Sequence, residues 1–133
     1  MDPVLKKMNY KAGPIAVLGA PAELKALIGT WGRDHSLAEE PAGPAPFAAP
    51  SFLLVFAESK ARFNELLPSL APKVGRGIVF WVAFPKQSSP RYGSDLNRDI
   101  VWKLMEPLGF KPARNVALDE DWSALRFVPA SQA

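Results

Sequence analysis

Between Phe84 and Asp99 the chain reads FPKQSSPRYGSDLNRD, a segment dense in hydroxyls, cations and carboxylates. Lys86 and Arg91 could pair with an anionic group, Ser88 and Ser89 could donate hydroxyl hydrogen bonds, and a helix beginning just beyond could add backbone N–H groups. That set suits a phosphate or a carboxylate. The same residues admit a structural reading. Ser94 or Asp95 can cap the helix, and Asp95 and Asp99 in its first turn complement its dipole. These carboxylates can also occupy Lys86 or Arg91 as partners. Arg98, at the same helix start, is placed to pair with Asp95 or Asp119 and so tie the loop to the C-terminal tail.

Few other chemistries have residues to run them. The chain has no cysteine, which excludes disulfides, thiol nucleophiles and zinc–thiolate sites, and its single histidine argues against a multi-histidine metal centre and most triads. That residue, His35, follows Asp34 directly, and adjacent Asp and His do not form a dyad. Ser88 and Ser89 have no assignable base, so nucleophilic catalysis is unsupported and no catalytic residue is named. Asp119, Glu120 and Asp121 form an acidic cluster, but acids on a hairpin turn without further oxygen ligands are solvated or capping. No metal and no cofactor is assigned. Trp122 and Arg126 stand four apart on a strand, on one side of it, either as a cation–π pair or with Trp122 burying the hairpin; core packing is the reading taken for Trp122. Trp81 and Trp102 read as core, and Trp31 as cover for an edge.

These side chains need a scaffold. Met1 to Lys11 is polar without period and reads as a mobile or loosely docked arm. Ile15 to Leu18 is a short apolar strand ended by Gly19, and Ala22 to Ile28 is a helix stopped by Gly29. His35 to Glu39 reads as an edge strand, and PAGPAPFAAP (41–50) as a surface loop, since each proline removes a donor. Phe52 to Ala57 is bulky and continuously apolar, as in a strand covered on both faces. Ser59 can cap the helix whose stripe is Phe63, Leu66, Leu67 and Leu70, interrupted by Pro68. Ile78 to Phe84 is the central strand. A helix from about Asp95 to Leu108 carries Leu96, Ile100, Leu104 and Leu108, and Gly109 closes it. Ala113 to Leu118 and Ser123 to Val128 are strands whose short connection requires an antiparallel pairing.

Two resemblances follow from these segments. Phe84-Pro85-Lys86, Ser88-Ser89, Asp95-Leu96-Asn97-Arg98-Asp99 and the stretch from Asp119 through Asp121-Trp122-Ser123-Ala124-Leu125-Arg126-Phe127 resemble a family of small uncharacterised bacterial proteins, a domain of unknown function; Ile15 to Pro21 resembles that family's first strand and turn. It implies no chemistry. The order of strand and helix from Phe52 to Leu70, the turn LAPKVGRG (70–77), a helix ending in Gly109-Phe110 and a closing hairpin is similar to the C-terminal half of Rossmann-like methyltransferases. That likeness implies the strand order 2-1-3-4-6-5. The first turn, Leu18-Gly19-Ala20-Pro21, departs from the methyltransferase pattern, with one glycine and a proline where backbone donors are wanted.

The expected fold is therefore α/β: a three-layer sandwich with a mixed, mainly parallel Rossmann-like sheet of about five or six strands and a C-terminal antiparallel hairpin. After the arm at 1–11, residues 12–133 make one domain, of a size able to bury its own core. With 48% hydrophobic and 22% charged residues the composition is that of a globular protein. No apolar run reaches the length of a membrane span and MDPVLKKMNY lacks a signal-peptide core, so the expectation is a cytoplasmic protein without a membrane partner. The formal charge is +3 and the pI near 9.3, but no block of Lys or Arg appears and acids are interspersed, which argues against nucleic-acid binding. The leading functional reading is a non-catalytic binding or regulatory domain for an anionic small molecule or acidic partner at Lys86 to Ser94. The alternatives are a small methyltransferase-like enzyme and a homo-oligomer in which a second copy completes an exposed edge.

Overall fold

The computed structural model describes residues 3–34, 37–40, 51–74 and 78–130. Its elements are α1 (Pro3–Lys7), β1 (Ile15–Leu18), α2 (Lys25–Asp34, entered through a tight turn at Ala22–Leu24), β2 (Leu37–Glu40), β3 (Phe52–Phe56), α3 (Lys60–Leu70), β4 (Val79–Pro85), α4 (Arg98–Met105), β5 (Phe110–Ala117) and β6 (Trp122–Pro129). They form one six-stranded sheet in the order β2-β1-β3-β4-β6-β5, the order that the resemblance to Rossmann-like methyltransferases implies. The first four strands pair in parallel, and β6 runs antiparallel to both β4 and β5.

Both sheet faces are covered, which explains why β1 and β3 are apolar at every position rather than alternating. On one face Leu18, Val55, Val82 and Phe127 pack under the α3 stripe of Phe63, Leu66 and Leu67 and under Val101 and Met105 of α4. On the other, Val17, Leu54 and Trp81 pack under Ile28 and Trp31 of α2 and under Leu5 and Met8. The three-layer arrangement is thus a direct consequence of two apolar strand faces, each needing a helical cover.

Several local expectations change. The N-terminal segment is not a loose arm: Leu5 and Met8 are fully buried, and the Met8 carbonyl accepts the Trp81 indole N–H at 2.9 Å. Its apolar residues are too few to show a period, yet they fill the gap beside α2. Gly29 does not stop α2, which continues so that Trp31 reaches the core against Phe52. Trp31 is therefore core rather than edge cover, whereas Trp102 is 45% exposed rather than core. Pro68 lies within the last turn of α3 instead of interrupting it, and Ser59 caps that helix by accepting from the Arg62 N–H at 3.2 Å. Residues 37–40 form the edge strand, with His35 outside the described residues, as is the stretch 41–50.

Candidate functional site

The chain leaves β1 to build β2 on one side and then crosses to build β3 on the other, so the sheet's winding reverses between β1 and β3. Open parallel sheets leave a crevice beyond the carboxyl ends of their strands at such a reversal. Here it is a cleft of about 440 Å³, floored by Gly19, Ala20 and Pro21 after β1 and walled by Phe56, Glu58 and Trp122. Gly19 has φ 71°, the left-handed turn that lets the backbone leave β1 sharply. Glu58 is exposed, while Arg62 on the far wall is paired with Glu65 at 2.9 Å, which leaves the cleft net acidic.

A hydrogen-bonded set stands beside this floor. The Trp122 indole N–H donates to Glu23 Oε2 at 3.1 Å, and the Tyr92 hydroxyl donates to the same oxygen. Burial works to raise the Glu23 pKa, but the hydrogen bonds from Tyr92, its own backbone and Trp122, with Arg91 nearby, hold it below the usual carboxylate range. Burial and the Glu23 partner push the Tyr92 phenol up to about 12. Trp122 is buried as expected and makes edge contacts with Phe56 and Tyr92; Arg126 lies elsewhere, opposite Trp81 and Arg114 in the ladder. Glu23 and Tyr92 were not among the residues singled out from sequence, because 69 positions separate them and no local spacing links them.

The loop after β4 is organised differently from the expectation. The Ser89 hydroxyl donates to Asp121 Oδ1 at 2.7 Å and Arg91 Nε donates to Oδ2 at 3.4 Å, while the Lys86 N–H donates to the Asp121 carbonyl at 2.8 Å. Ser89 Oγ also accepts the N–H groups of Arg91 and Tyr92, each at 3.1 Å. Ser89 and Arg91 thus tie the loop to the tail hairpin, with a carboxylate as partner to Arg91, whose side chain stays 60% exposed. Asp121, largely buried, is the residue sequence reasoning passed over; it was read only as part of an acidic cluster. Asp119 closes the hairpin turn, its Oδ1 accepting from the N–H groups of Asp121 and Trp122 at 2.8 and 2.7 Å.

Neither Ser94 nor Asp95 caps α4. Asn97 does, accepting from the Ile100 N–H at 2.9 Å, because the helix begins at Arg98 rather than Asp95. Asp95 instead accepts the Lys60 N–H at 2.8 Å at the start of α3, and the Ser94 hydroxyl donates to the Glu58 carbonyl at 2.7 Å. The loop thereby braces the turn that walls the cleft. Asp99 does sit in the first turn of α4. Arg98 approaches Asp99 at 3.8 Å, not Asp95 or Asp119, since neighbouring positions on the exposed helix start bring those two together. Lys86, half-buried, and Arg98 line a second hollow of about 280 Å³ with Gln87, Asp99, Asn115 and Ser123; Ser88 is exposed. Among the described residues no group of three or more acids and histidines is arranged to hold a metal. None of their helices is long and apolar enough to cross a membrane.

Solved structures share this architecture. LepI in complex with SAH and a substrate analogue superposes with a TM-score of 0.63 at 10% identity, over 96% of this chain and 47% of LepI. A SAM-dependent methyltransferase from Aquifex aeolicus gives 0.58 at 15% identity, over 94% of this chain and 87% of that one. The chain shares the Rossmann-like α/β fold of these structures. A B. subtilis tRNA methyltransferase, TrmK, gives 0.59 at 8% identity over 97% of this chain and 66% of its own. The chain thus spans about half the length of LepI, and at these identities the likeness is one of fold. No family model matches the chain, so the resemblance to the uncharacterised bacterial family gains no support; no curated protein matches it either.

Proposed function

We propose that the chain is a small methyltransferase-like domain that receives S-adenosylmethionine in the β1–β3 cleft. The observation carrying this reading is an acidic, aromatic-walled cleft of about 440 Å³ at the winding reversal of a fold shared with proteins solved with that ligand class. The residues fit the group. Phe56 and Trp122 offer apolar walls to an adenine, and the Glu58 carboxylate favours a sulfonium cation over an anion. Gly19 supplies the turn, although Pro21 removes one donor there. When bound, S-adenosylmethionine supplies an electrophilic methyl group; the chain's own residues bind and orient it.

Isothermal titration tests this. The wild type should bind S-adenosylmethionine more tightly than the uncharged thioether S-adenosylhomocysteine, and Glu58→Gln should shrink that preference by about fivefold, the scale of an exposed charge pair. Absence of heat with either ligand from correctly folded protein would remove the reading.

A second reading, a site for an anionic small molecule, is favoured by the 280 Å³ hollow lined by Lys86 and Arg98 with the amides of Gln87 and Asn115, where the single carboxylate among the described lining residues, Asp99, lies 3.8 Å from Arg98. Asn115 Oδ1 accepts the Ser123 hydroxyl at 3.0 Å, which leaves its NH₂ as the donor for the hollow. Thermal shift against phosphates and carboxylates, with Lys86→Ala/Arg98→Ala, separates the two: a ligand that stabilises the wild type alone supports this site.

A further inference from the structure

The positive charge that the sequence disperses is gathered by the fold onto one surface. β6 places Arg126 directly opposite Arg114 of β5, and the next pair along the same face sets Val128 opposite Lys111. On its other side Arg126 pairs with Trp81, which is bonded to the Met8 carbonyl at the end of α1. The last turn of α1 carries Lys6 and Lys7, both exposed. Lys111, Arg114 and Arg126 thus share one face of the hairpin, and Lys6 and Lys7, the other two of five cations, lie on the helix that leads into the Met8–Trp81 contact beside Arg126; neither α1, β5 nor β6 contains an Asp or Glu. None of the five makes an ion pair among the described residues. Two arginines directly opposite in an antiparallel pair repel each other, and Arg126 Nε is buried without a hydrogen-bond partner. For folding alone this arrangement is unfavourable.

We propose that this face of the β5–β6 hairpin, with the end of α1, is a docking surface for the phosphate backbone of a nucleic acid. Guanidinium groups match phosphate oxygens bidentately, and a phosphate between Arg114 and Arg126 relieves their repulsion and supplies acceptors to the strand pair. A lipid surface fits less well, because peripheral membrane binding adds apolar insertion to charge. The exposed large apolar side chain among the described residues, Trp102, is on α4, which covers the opposite face of the sheet. The contacts are to backbone, so the surface discriminates little between sequences. This surface is separate from the β1–β3 cleft and does not depend on what that cleft binds.

Fluorescence anisotropy with labelled single-stranded RNA and DNA of one sequence tests it, alongside sedimentation with phosphatidylserine vesicles. With five phosphate contacts on a single strand, affinity should fall about 100-fold between about 50 and 200 mM salt. The variant Lys111→Gln/Arg114→Gln should bind more weakly at every salt concentration and lose only about 20-fold over the same range. A control of equal charge change on the other face, Lys60→Gln/Lys103→Gln, should bind as the wild type does. Circular dichroism of each variant establishes that it is folded. No oligonucleotide binding by folded wild type, equal losses in the two variants, or binding to vesicles without binding to oligonucleotides would each overturn the proposal; a preference between RNA and DNA would identify the source of the phosphates.

Discussion

Glu23→Ala removes the acceptor shared by Trp122 and Tyr92 while leaving the backbone path of the turn after β1 unchanged. Trp122 is 2% exposed, and its indole N–H is bonded at 3.1 Å to the carboxylate of Glu23, an exposed residue, so the variant loses a charge-assisted bond that water replaces only in part. Loss of a hydrogen bond to a charged group costs about 1.5–3 kcal/mol. The Tyr92 hydroxyl is only half-buried and can turn to solvent, adding about 0.5 kcal/mol. The sum is about 2 kcal/mol, which urea denaturation should register as a midpoint shift of about 1 M for a slope near 2 kcal/mol/M. The decisive measurement is a double-mutant cycle with Trp122→Phe, which removes the N–H but keeps an aromatic ring. In that background Glu23→Ala should cost only about 0.5 kcal/mol, a coupling of about 1.5 kcal/mol. Additivity of the two substitutions within about 0.5 kcal/mol would refute the assigned bond and with it the tether between the first turn and the tail hairpin.

Three further outcomes are expected. Leu5→Ala should lose about 2–5 kcal/mol in the same assay because Leu5 is fully enclosed, whereas a loose arm would cost almost nothing. Gly13→Ala should be destabilised by about 2 kcal/mol or more in thermal melts, since Gly13 has φ 98° and a Cβ there would lie 2.4 Å from Ser51 Oγ. In ultraviolet titration Tyr92 should ionise near 12, and Glu23→Gln should bring it back toward the ordinary value of 10.0. Because the folded state favours the neutral phenol, the stability from this group is complete below pH 10 and lost as pH rises through about 12. The Glu23 carboxylate behaves oppositely: its pKa is lowered on folding, so its contribution holds above the usual carboxylate range and is lost as pH falls through the folded value.

The local signals that proved readable were those in which burial and capping act over a few residues. The continuous apolar runs at Ile15, Phe52 and Ile78 marked strands covered on both faces, and Ser59 with the stripe from Phe63 to Leu70 marked a capped helix. Alternation of these elements, with a connection after Leu118 too short for a crossover, was enough for a mixed, mainly parallel sheet with an antiparallel end, while the strand order came from the methyltransferase resemblance. The loop after β4 was correctly placed at the carboxyl end of its strand, but its internal wiring was not legible. Ser89 and Arg91 are satisfied by Asp121, some 30 residues away, and Asp95 by the start of α3, 35 residues back. Spacing along a chain carries no information about partners that only folding brings within hydrogen-bond reach.

By itself, then, the sequence determined which segments must be buried, and hence the α/β layering, and it removed thiol and multi-histidine chemistry outright. The tertiary structure decided where charge resides. It paired the loop's Ser89 hydroxyl and the exposed Arg91 with Asp121 and left an acidic cleft between β1 and β3. It also lined up Lys111, Arg114 and Arg126, scattered among apolar residues in the sequence, on one face of a hairpin. The reason is the same in each case: burial is dictated by a residue's own solvation, whereas electrostatic surfaces and hydrogen-bonded sites depend on pairings set by strand register and packing.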